Sequence, residues 1–346
     1  MEYLFSAQQT ETVSLKVESS VVWEVILGIS GYTYAQLRHT FDYDDQWTNA
    51  LQSMPQSLIQ NLKTIEKTNL WYGMIMLQNE FSAVSMEDFT EKLLSLDNIS
   101  FYKILLPYKD RYSEDLRLET AYKHETESIK HYAHFFKKHA FLESYVLALS
   151  HSPIENIIDL FHATLQEWYN WMINLEEWKK WKQALTFEQK QYASIDHTNP
   201  TAEIEKIAGI HYIPEPSVWT IKLIPHVSYR PWILEKRTND TKLFFYPIKE
   251  EYLLEAGTPS KDLIRGHKAL GEELRLKLLY QLLKGPLSLQ ELSVQFTISK
   301  TSLHHQLSLL KAAKFIKVEK GIYSANAAKI KTFSEKLNQY LEMTNE

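Results

Sequence analysis

The sequence predicts a mainly α-helical protein with small β elements, in which a larger, mostly helical N-terminal domain with a small sheet precedes a smaller C-terminal domain. Apolar residues recur at helical spacing along most of the chain, and a few short segments are rich in β-branched and aromatic residues. Charge separates the two parts: residues 266–346 have 12 Lys and Arg against seven Glu, a net charge of +5, whereas residues 1–265 carry −10. Such an asymmetry indicates a basic module attached to an acidic one.

Composition excludes several kinds of site. The 346 residues include no cysteine, which rules out disulfides, thiolate metal sites and cysteine nucleophiles. Glycine is scarce, at nine residues, and no glycine-rich motif for binding phosphate occurs. The N-terminus lacks a basic segment followed by an apolar run, and no apolar run approaches the ~20 residues of a membrane span. We therefore expect a cytoplasmic protein with no cofactor and no membrane partner.

The N-terminal domain is predicted to span residues 1–256. The alternating residues 11–17 predict a half-buried strand, and Ser19 or Ser20 is a candidate cap for the helix that follows. Helical spacing then recurs over four segments, 46–67, 86–96, 114–149 and 154–185. The last part of this domain contains three segments that predict a strand–turn–strand unit, SVWTIKLIP, PWILEK and KLFFYP.

The C-terminal domain is predicted to span residues 266–346, after a turn-rich linker at 257–265. Leucine recurs at every fourth position from Leu270 to Leu282, which predicts the buried stripe of an amphipathic helix. Gly285 and the proline after it end this helix.

A helix–turn–helix pattern follows. Ser288 and Glu291 form a capping box, which opens a short helix to Phe296. After a tight turn, Ser299 caps another helix that extends to about Lys314. One face of this helix is apolar and carries Leu303, Leu307 and Leu310.

The opposite face of this helix is polar and has no acidic side chain. It carries Thr301, His304, His305 and Ser308, with Lys300 at its edge. A face of this kind suits contact with base edges in a major groove. Two short strands joined by Lys320 and Gly321 then predict a β-hairpin, so the elements follow the order of a winged helix-turn-helix.

The predicted DNA-binding residues lie on the cap of this helix, on the helix itself and on the hairpin: Ser299, Lys300, Thr301, Ser302, His304, His305, Ser308, Lys317 and Lys320. Between residues 299 and 320, five Lys and one Glu give a local charge of +4. Lys300, Lys317 and Lys320 are expected to hold phosphates, which makes binding depend steeply on salt. Thr301, His304 and His305 are expected to face the groove, and simple solvent exposure is the alternative for the two histidines.

A known family has a similar domain. The DNA-binding domain of the ArsR/SmtB-type bacterial regulators resembles the segment ALGEELRLKLLYQLLKGPLSLQELSVQFTISKTSLHHQLSLLKAAKFIKVEKGIYSAN. The resemblance includes Arg275 in the opening helix, Glu291-Leu292, the pattern Leu307-x-x-Leu310-x-x-Ala313 and the hairpin. It implies transcriptional control through double-stranded operator DNA. A weaker resemblance, carried by SVWTIKLIPHVSYRPW and KLFFYP, is to longer ArsR-like regulators with a helical N-terminal region of unassigned function.

The chain departs from this family at functional positions. The family often has Ser-x-His-Leu late in the recognition helix, whereas this chain has His304-His305-Gln306-Leu307, so no base preference follows from the resemblance. At the positions of the metalloid-binding cysteines of the family, this chain has Ser293 and Gln295. The C-terminal helix, residues 327–341, has no His or Asp for the zinc site of other relatives. The resemblance therefore implies transcriptional control without metal sensing.

The last helix is the predicted dimerisation element. Its apolar residues have heptad-like spacing: Ile330, Phe333, Leu337, Tyr340 and Leu341. We expect this helix to pair with a second subunit, because two-fold regulators read two half-sites with one recognition helix each. Folding back on its own domain is the alternative.

Two clusters in the N-terminal domain have both a functional and a structural interpretation. One consists of His124, Glu127, His131 and His134, which would share one helical face. Such a set could bind zinc or nickel, but its polar surroundings favour a solvated surface. The other consists of Glu167, Trp168, Tyr169, Asn170, Trp171, Trp178 and Trp181. These side chains could line a ligand pocket, although the spacing of the tryptophans favours the buried stripe of a helix.

No catalytic motif is present, and we expect no enzymatic activity. The leading hypothesis is a homodimeric bacterial transcriptional regulator, expected to be a repressor, whose N-terminal domain responds to a small-molecule, non-metal effector or provides dimer contacts. One alternative is a protein-interaction module whose winged helix binds another protein. A second alternative, an N-terminal enzyme fused to a DNA-binding domain, would need a deep polar pocket with convergent titratable groups.

Overall fold

The computed structural model describes residues 13–34, 36–43, 47, 51–192, 195, 197–253 and 258–341. The chain forms two compact units, Met1–Tyr34 with Asn49–Ile248, and Ala35–Thr48 with Lys249–Glu346. We refer to them as the N-terminal unit and the C-terminal unit. The predicted fold class is confirmed, because helices dominate the described part of both units and each unit contains a small sheet.

Helices make up most of the N-terminal unit. Their bounds are α1 (Val21–Thr33), α2 (Gln56–Thr68), α3 (Trp71–Phe81), α4 (Met86–Leu94), α5 (Asn98–Leu105), α6 (Glu114–Lys123), α7 (Thr126–Ala133), α8 (Leu142–His151), α9 (Ile154–Met172), α10 (Trp178–Gln191) and α11 (Pro200–Ala208). Ser20 caps α1 by accepting a hydrogen bond from the Trp23 amide at 3.3 Å, as the sequence predicts. All residues of α1 from Val22 to Thr33 are buried, so this helix lies inside the core of its unit.

The sheet of the N-terminal unit joins distant parts of the sequence. Its strands are β1 (Ser14–Val17), β2 (Thr220–His226), β3 (Leu234–Arg237) and β4 (Thr241–Pro247), in the order β1-β2-β4-β3. β2 pairs in parallel with β1, where Leu15 lies opposite Ile221, and also with β4. β3 and β4 form an antiparallel pair, as the strand–turn–strand pattern predicts. Parallel partners need a long connection, and α1–α11 provide the one between β1 and β2.

Some helical segments predicted from apolar spacing differ in the structure. Segment 114–149 contains α6, α7 and α8, because His124 adopts a left-handed conformation (φ 40°) and ends α6 by donating its amide to the Thr120 carbonyl at 2.8 Å. Segment 154–185 is divided between α9 and α10. Each new helix again buries an apolar stripe. The helical spacing of apolar residues therefore continues across the breaks, and it does not show where one helix ends and the next begins. In segment 46–67, residues 46 and 48–50 lie outside the described residues, and α2 follows Pro55.

A buried carboxylate joins α1 to the chain that follows β2. Glu24 is 1% exposed, and its carboxylate accepts hydrogen bonds from the Val227 amide at 3.0 Å, from the Ser228 amide and from the Ser228 hydroxyl. Burial raises the pKa of Glu24 above its ordinary value, and these hydrogen bonds oppose that rise. The side chain thus connects the first helix of the unit with the chain just after β2, 203 residues later in the sequence.

We expect the Glu24→Gln variant to differ from the wild type in the pH dependence of its stability. A raised native pKa means that the folded state keeps the proton of Glu24 to a higher pH than the unfolded chain does. The wild type therefore loses free energy of unfolding as the pH rises from about 4.5 through the raised pKa, and glutamine removes that loss. Urea unfolding of both proteins between about pH 4 and 8 measures the effect. A difference in stability that is the same at every pH would contradict this expectation.

The C-terminal unit is built around a three-stranded sheet and a set of short helices. Its elements are α12 (Lys261–Leu270), α13 (Glu273–Lys284), β5 (Leu287–Ser288), α14 (Leu289–Phe296), α15 (Lys300–Ala312), β6 (Ile316–Glu319), β7 (Ile322–Ala325) and α16 (Ala327–Tyr340). The strands are antiparallel, in the order β5-β7-β6. Leu278, Leu292 and Phe315 are fully buried at its centre. In the parts of the chain that the structure describes, no helix is long and apolar enough to cross a membrane.

The start of the C-terminal unit differs from the sequence prediction in three ways. Helix α12 begins at Lys261, because Ser260 caps it by accepting from the Leu263 amide at 3.0 Å, so the predicted linker 257–265 is helical in its second half. Residue 257 lies outside the described residues. The leucine stripe of the predicted first helix crosses a break between α12 and α13. Residues 35–48, which the sequence places in the domain 1–256, belong to the C-terminal unit.

Candidate nucleic-acid interface

Local hydrogen bonds define both helices of the helix–turn–helix. The predicted capping box is present: the Glu291 amide donates to the Ser288 hydroxyl at 3.2 Å, and the Ser288 amide donates to the Glu291 carboxylate at 2.7 Å. The hydrogen bonds from the Ser288 amide and hydroxyl hold the pKa of Glu291 below its ordinary value. Thr297 turns the chain in a left-handed conformation (φ 55°), and Ser299 then caps α15 by accepting from the Ser302 amide at 3.2 Å.

Helix α15 has one buried and one exposed face, as the sequence predicts. Leu303, Leu307 and Leu310 are at most 1% exposed and pack in the core of the C-terminal unit. The exposed side chains of the helix and its cap include Ser299, Lys300, Thr301, Ser302, His304 and His305. None of these residues is acidic, so this face offers hydrogen-bonding groups without repelling a phosphate backbone.

The predicted hairpin is formed by β6 and β7, and β5 pairs with the other edge of β7. Its two turn residues, Lys320 and Gly321, have φ values of 49° and 82°, and positive values at both positions are what a tight hairpin turn requires. Lys317 and Lys320 are exposed. The three lysines predicted to hold phosphates, these two and Lys300, are therefore accessible to solvent.

Part of the polar face of α15 is covered. Ser308 is 6% exposed, which corrects the expectation that it lies open on this face. The ring of His39 lies 4.2 Å from that of His305, centroid to centroid, with 30° between the ring planes. The Ser308 hydroxyl donates to the His305 carbonyl at 2.7 Å, so its oxygen is left to accept from the His39 Nε2–H at 3.3 Å. The sequence around His39 has no pattern that predicts this contact.

We refer to residues 36–43 as the cover segment. It contains a 3₁₀ turn at Arg38–Thr40, and the Phe41 side chain after this turn is 6% exposed. The Asp42 carboxylate, 3% exposed, forms an ion pair with Arg265 of α12. The ion pair with Arg265 therefore attaches the cover segment to α12, while the Phe41 ring packs 5.8 Å, centroid to centroid, from that of Trp47. Arg265 lies in the segment that the sequence predicts as a linker. The sequence therefore gives no indication of its ion pair with Asp42.

The contact between His39 and α15 favours a neutral imidazole. Burial lowers the pKa of His39 below its ordinary value, and the nearby His305 and His304 lower it further. A positive charge on His39 would face two other imidazoles that can also become positive. Near neutral pH, the cover segment therefore presents an uncharged ring to the recognition helix.

The C-terminal helix α16 folds against its own domain. Phe333 is 6% exposed, and its ring centroid lies 5.1 Å from that of Phe315 and 4.9 Å from that of His267. Gly266 in α12 makes room for this ring, because a Cβ atom at that position would lie 2.1 Å from the Cε2 atom of Phe333. The close approach of α12 and α16 depends on this glycine.

This packing is what the alternative of folding back on the same domain describes, and pairing with a second subunit stays a prediction. Ile330, Phe333 and Leu337 pack on the core of their own unit, so most of the apolar stripe serves an intramolecular contact. Tyr340 and Leu341 at the end of the helix are 40% and 51% exposed. Heptad-like spacing predicts a buried face on α16 but does not distinguish a partner helix in another subunit from one in the same chain.

The candidate metal ligands of the N-terminal unit do not share one helix. His124 ends α6, Glu127 and His131 lie on α7, and His134 lies in a 3₁₀ turn after it. Glu127 pairs with Lys130 at 2.9 Å. Over the ranges that the structure describes, no three His, Asp or Glu side chains are grouped so that they could hold a metal ion.

The tryptophans of α9 and α10 are mainly core residues. Trp168 and Trp181 are 1% and 3% exposed, as their structural interpretation predicts. Trp171 donates its Nε1–H to the Ser53 hydroxyl at 3.1 Å and lines a cavity of about 410 Å³ together with Asn170 and neighbouring residues. Trp178, together with Tyr169, lines another cavity of about 320 Å³, so two tryptophans of the cluster contribute to the wall of a cavity.

A larger, polar cavity of about 710 Å³ opens within the N-terminal unit. Four cationic side chains that line it are held by carboxylates: Lys92 by Asp88 at 2.9 Å, Arg117 by Glu114 at 2.7 Å, Lys222 by Glu18 at 3.2 Å and Arg237 by Glu215 at 2.7 Å. The amide of Asn239 and the hydroxyls of Ser100 and Thr241 also line it. The arrangement can offer hydrogen bonds and paired charges to a small polar molecule.

The helix-turn-helix matches a known protein family. Residues 272–318, from the start of α13 to β6, match the family described as bacterial regulatory protein, arsR family. At the level of the family, this match identifies the helix-turn-helix as that of a DNA-binding regulator and confirms the resemblance predicted from the sequence. The N-terminal unit, β7 and α16 lie outside the matched residues. No curated protein and no solved structure matches the chain.

Proposed function

We propose that the protein is a bacterial transcriptional regulator that binds double-stranded operator DNA through α15 and the β6–β7 hairpin, and that it represses transcription as a cytoplasmic homodimer. The observation that carries the proposal is the exposed, acid-free face at residues 299–305, on a helix within the arsR-family match. Two-fold regulators insert one such helix from each subunit into successive major grooves. Tyr340 and Leu341, the exposed apolar residues at the end of α16, are the proposed contacts with the second subunit.

The proposed roles of the side chains follow from their chemistry. Lys300, Lys317 and Lys320 neutralise phosphates and set the position of the protein on the duplex. His304 and His305 carry imidazoles that can donate to or accept from base edges, while the Thr301 hydroxyl does both and its methyl group can contact thymine. Phosphate contacts supply affinity, and the groove contacts supply the preference for one sequence.

Control by a small molecule is proposed for the 710 Å³ cavity of the N-terminal unit. Its polar walls favour a polar, non-metal effector. We assign it to ligand binding, because the cations held by carboxylates in its walls offer paired charges and hydrogen bonds to a polar molecule. A ligand in this cavity changes affinity for DNA only if it binds one arrangement of the protein better than another.

The proposal predicts specific and salt-dependent binding to promoter DNA from the protein's own locus. We expect the full-length protein to prefer this duplex over a scrambled duplex of equal length by about 1000-fold, with affinity that falls steeply as salt rises. Fluorescence anisotropy with both labelled duplexes at several salt concentrations measures this. The double variant Lys300→Ala with His305→Ala should lose most of the preference. Equal affinity of the wild type for both duplexes, or indifference to salt, would refute the proposal.

A second candidate function is protein recognition through the winged helix. The observation that favours it is the packing of His39 on α15, since this polar face already contacts a polypeptide. The same anisotropy experiment separates the two functions. A protein-binding module would bind both duplexes weakly and equally, and its residual affinity would disappear at high salt.

A further inference from the structure

We propose that the cover segment, residues 36–43, is an autoinhibitory element that must leave α15 before this helix can fully enter a major groove. The inference rests on the proposed function, because it assigns regulation to the proposed DNA-binding face. The juxtaposition that carries it is His39 of the cover segment on His305 and Ser308 of α15.

The covered residues belong to the face that would meet the bases. At 100° per residue, Thr301, His305 and Ser308 lie within about 60° of one another around α15. Thr301, at the start of the helix, is exposed, whereas Ser308 is 6% exposed. The cover segment thus contacts this polar face at His305, which stays exposed, and at the buried Ser308, and it leaves the first turn of the helix open.

A major groove has no room for α15 and the cover segment together. The groove is about 12 Å wide, and a helix with its side chains is about 10–12 Å across. While His39 lies on His305 and Ser308, a second polypeptide segment occupies the position that base edges would take. The exposed residues among 299–305 could then approach the DNA only as far as the cover segment allows, so full insertion of the face as far as Ser308 requires the cover segment to withdraw.

The cover segment is attached at Asp42 by an ion pair and contacts α15 through His39. Phe41 is 6% exposed, and the Asp42 carboxylate, 3% exposed, pairs with Arg265. The described contact of His39 with α15 consists of a ring contact and a 3.3 Å hydrogen bond. In the proposed opening, the His39 contacts with α15 break while the Asp42–Arg265 ion pair stays in place, which makes the inhibition reversible without unfolding the unit.

The sequence connects this contact directly to the N-terminal unit. Helix α1 ends at Thr33, Tyr34 is the last residue of that unit before the cover segment, and only Ala35 separates the two. A ligand of the N-terminal unit that shifts the end of α1 would therefore act on the chain that leads into the cover segment. Such a ligand can change the affinity for DNA only by the ratio of its own affinities for two states of the protein, one with the cover segment on α15 and one with the segment withdrawn.

The first test is the His39→Ala variant of the full-length protein. Removing the ring contact and the hydrogen bond should raise affinity for the promoter duplex about five- to tenfold, because the closed state loses these interactions. The slope of affinity against salt should not change, since the phosphate-binding lysines are intact. Gln36→Ala is the matched control, because Gln36 is an exposed residue of the same segment, and its affinity should equal that of the wild type.

The second test locks the segment closed, and the absence of native cysteine makes it selective. In the double variant His39→Cys with Ser308→Cys, a short bis-methanethiosulfonate reagent should join the two thiols. The cross-linked protein should bind the promoter duplex at least about tenfold more weakly than the same variant before cross-linking. Reductant should restore the affinity.

The outcomes separate this inference from the proposed function. If His39→Ala binds the promoter with unchanged or lower affinity, or if the cross-linked and reduced proteins bind equally, autoinhibition is wrong while specific DNA binding stands. If the wild type and every variant bind promoter and scrambled duplexes alike, the proposed function itself fails. Higher affinity of His39→Ala together with weaker binding after cross-linking supports the inference.

Discussion

Replacing Lys300, Lys317 and Lys320 with alanine together is expected to lower affinity for the promoter duplex about 100-fold at physiological salt. Each of these lysines is exposed, at the start of α15 or on the hairpin. A lysine that neutralises one phosphate releases about 0.9 of a counterion, which corresponds to roughly a fivefold gain in affinity near 0.15 M salt. The plot of log affinity against log salt should also become less steep by about three, one unit for each lost contact.

A matched control separates phosphate contact from a general loss of charge. Lys179→Ala, Lys182→Ala and Lys190→Ala together remove the same charge from exposed positions of α10 in the N-terminal unit. This triple variant should keep the affinity and the salt slope of the wild type to within about twofold, since it leaves the three proposed phosphate contacts on α15 and the hairpin intact. If both triple variants lose affinity equally, the three lysines act through net charge alone and the hairpin makes no phosphate contact.

Phe333→Ala is expected to destabilise the C-terminal unit by about 3–5 kcal/mol, the usual cost of deleting a buried aromatic ring. The ring is 6% exposed, lies 5.1 Å from that of Phe315 and occupies the space that Gly266 leaves open. Without it, α16 loses its central contact with α12. Amide hydrogen exchange over residues 300–325 in the full-length protein should accelerate accordingly, because it reports the stability of this unit separately.

Leu283→Ala is the control in the same unit. Leu283 lies on α13 and is 51% exposed, so its truncation should change the exchange rates of residues 300–325 by an amount equivalent to less than about 0.5 kcal/mol. If Phe333→Ala instead left these rates unchanged and converted a dimer to a monomer, as size-exclusion chromatography with light scattering would show, Phe333 would serve the subunit interface after all.

Much of the C-terminal unit was predictable because its determinants are local. The capping box joins Ser288 to Glu291, three residues away, and the buried face of α15 follows from leucines three and four positions apart. Interactions over such short separations form in nearly the same way in any fold that contains these helices. Six of the predicted DNA-binding residues, Ser299 to His305 without Leu303, are accordingly exposed on one helix and its cap.

Other features of the site were not predictable because they depend on long-range packing. His39 and Ser308 are 269 positions apart, and neither has a sequence neighbour that indicates the other. Ser308 has the right residue type and the right helical position for the groove, yet it is covered. Phe333 has the spacing of an interface residue, but the missing side chain of Gly266 directs its ring into its own domain.

The difference in charge between the two parts of the chain also separates what local sequence determines from what long-range packing decides. The sequence by itself determined that a basic helix-turn-helix follows an acidic, mainly helical part, since both properties follow from composition and from spacing within a few residues. Only the tertiary structure decided that residues 35–48 belong with the basic unit and that His39 lies on the recognition helix. The physical reason is that burial and ion pairs such as Asp42–Arg265 join segments without regard to their distance along the chain, and no local pattern encodes that choice.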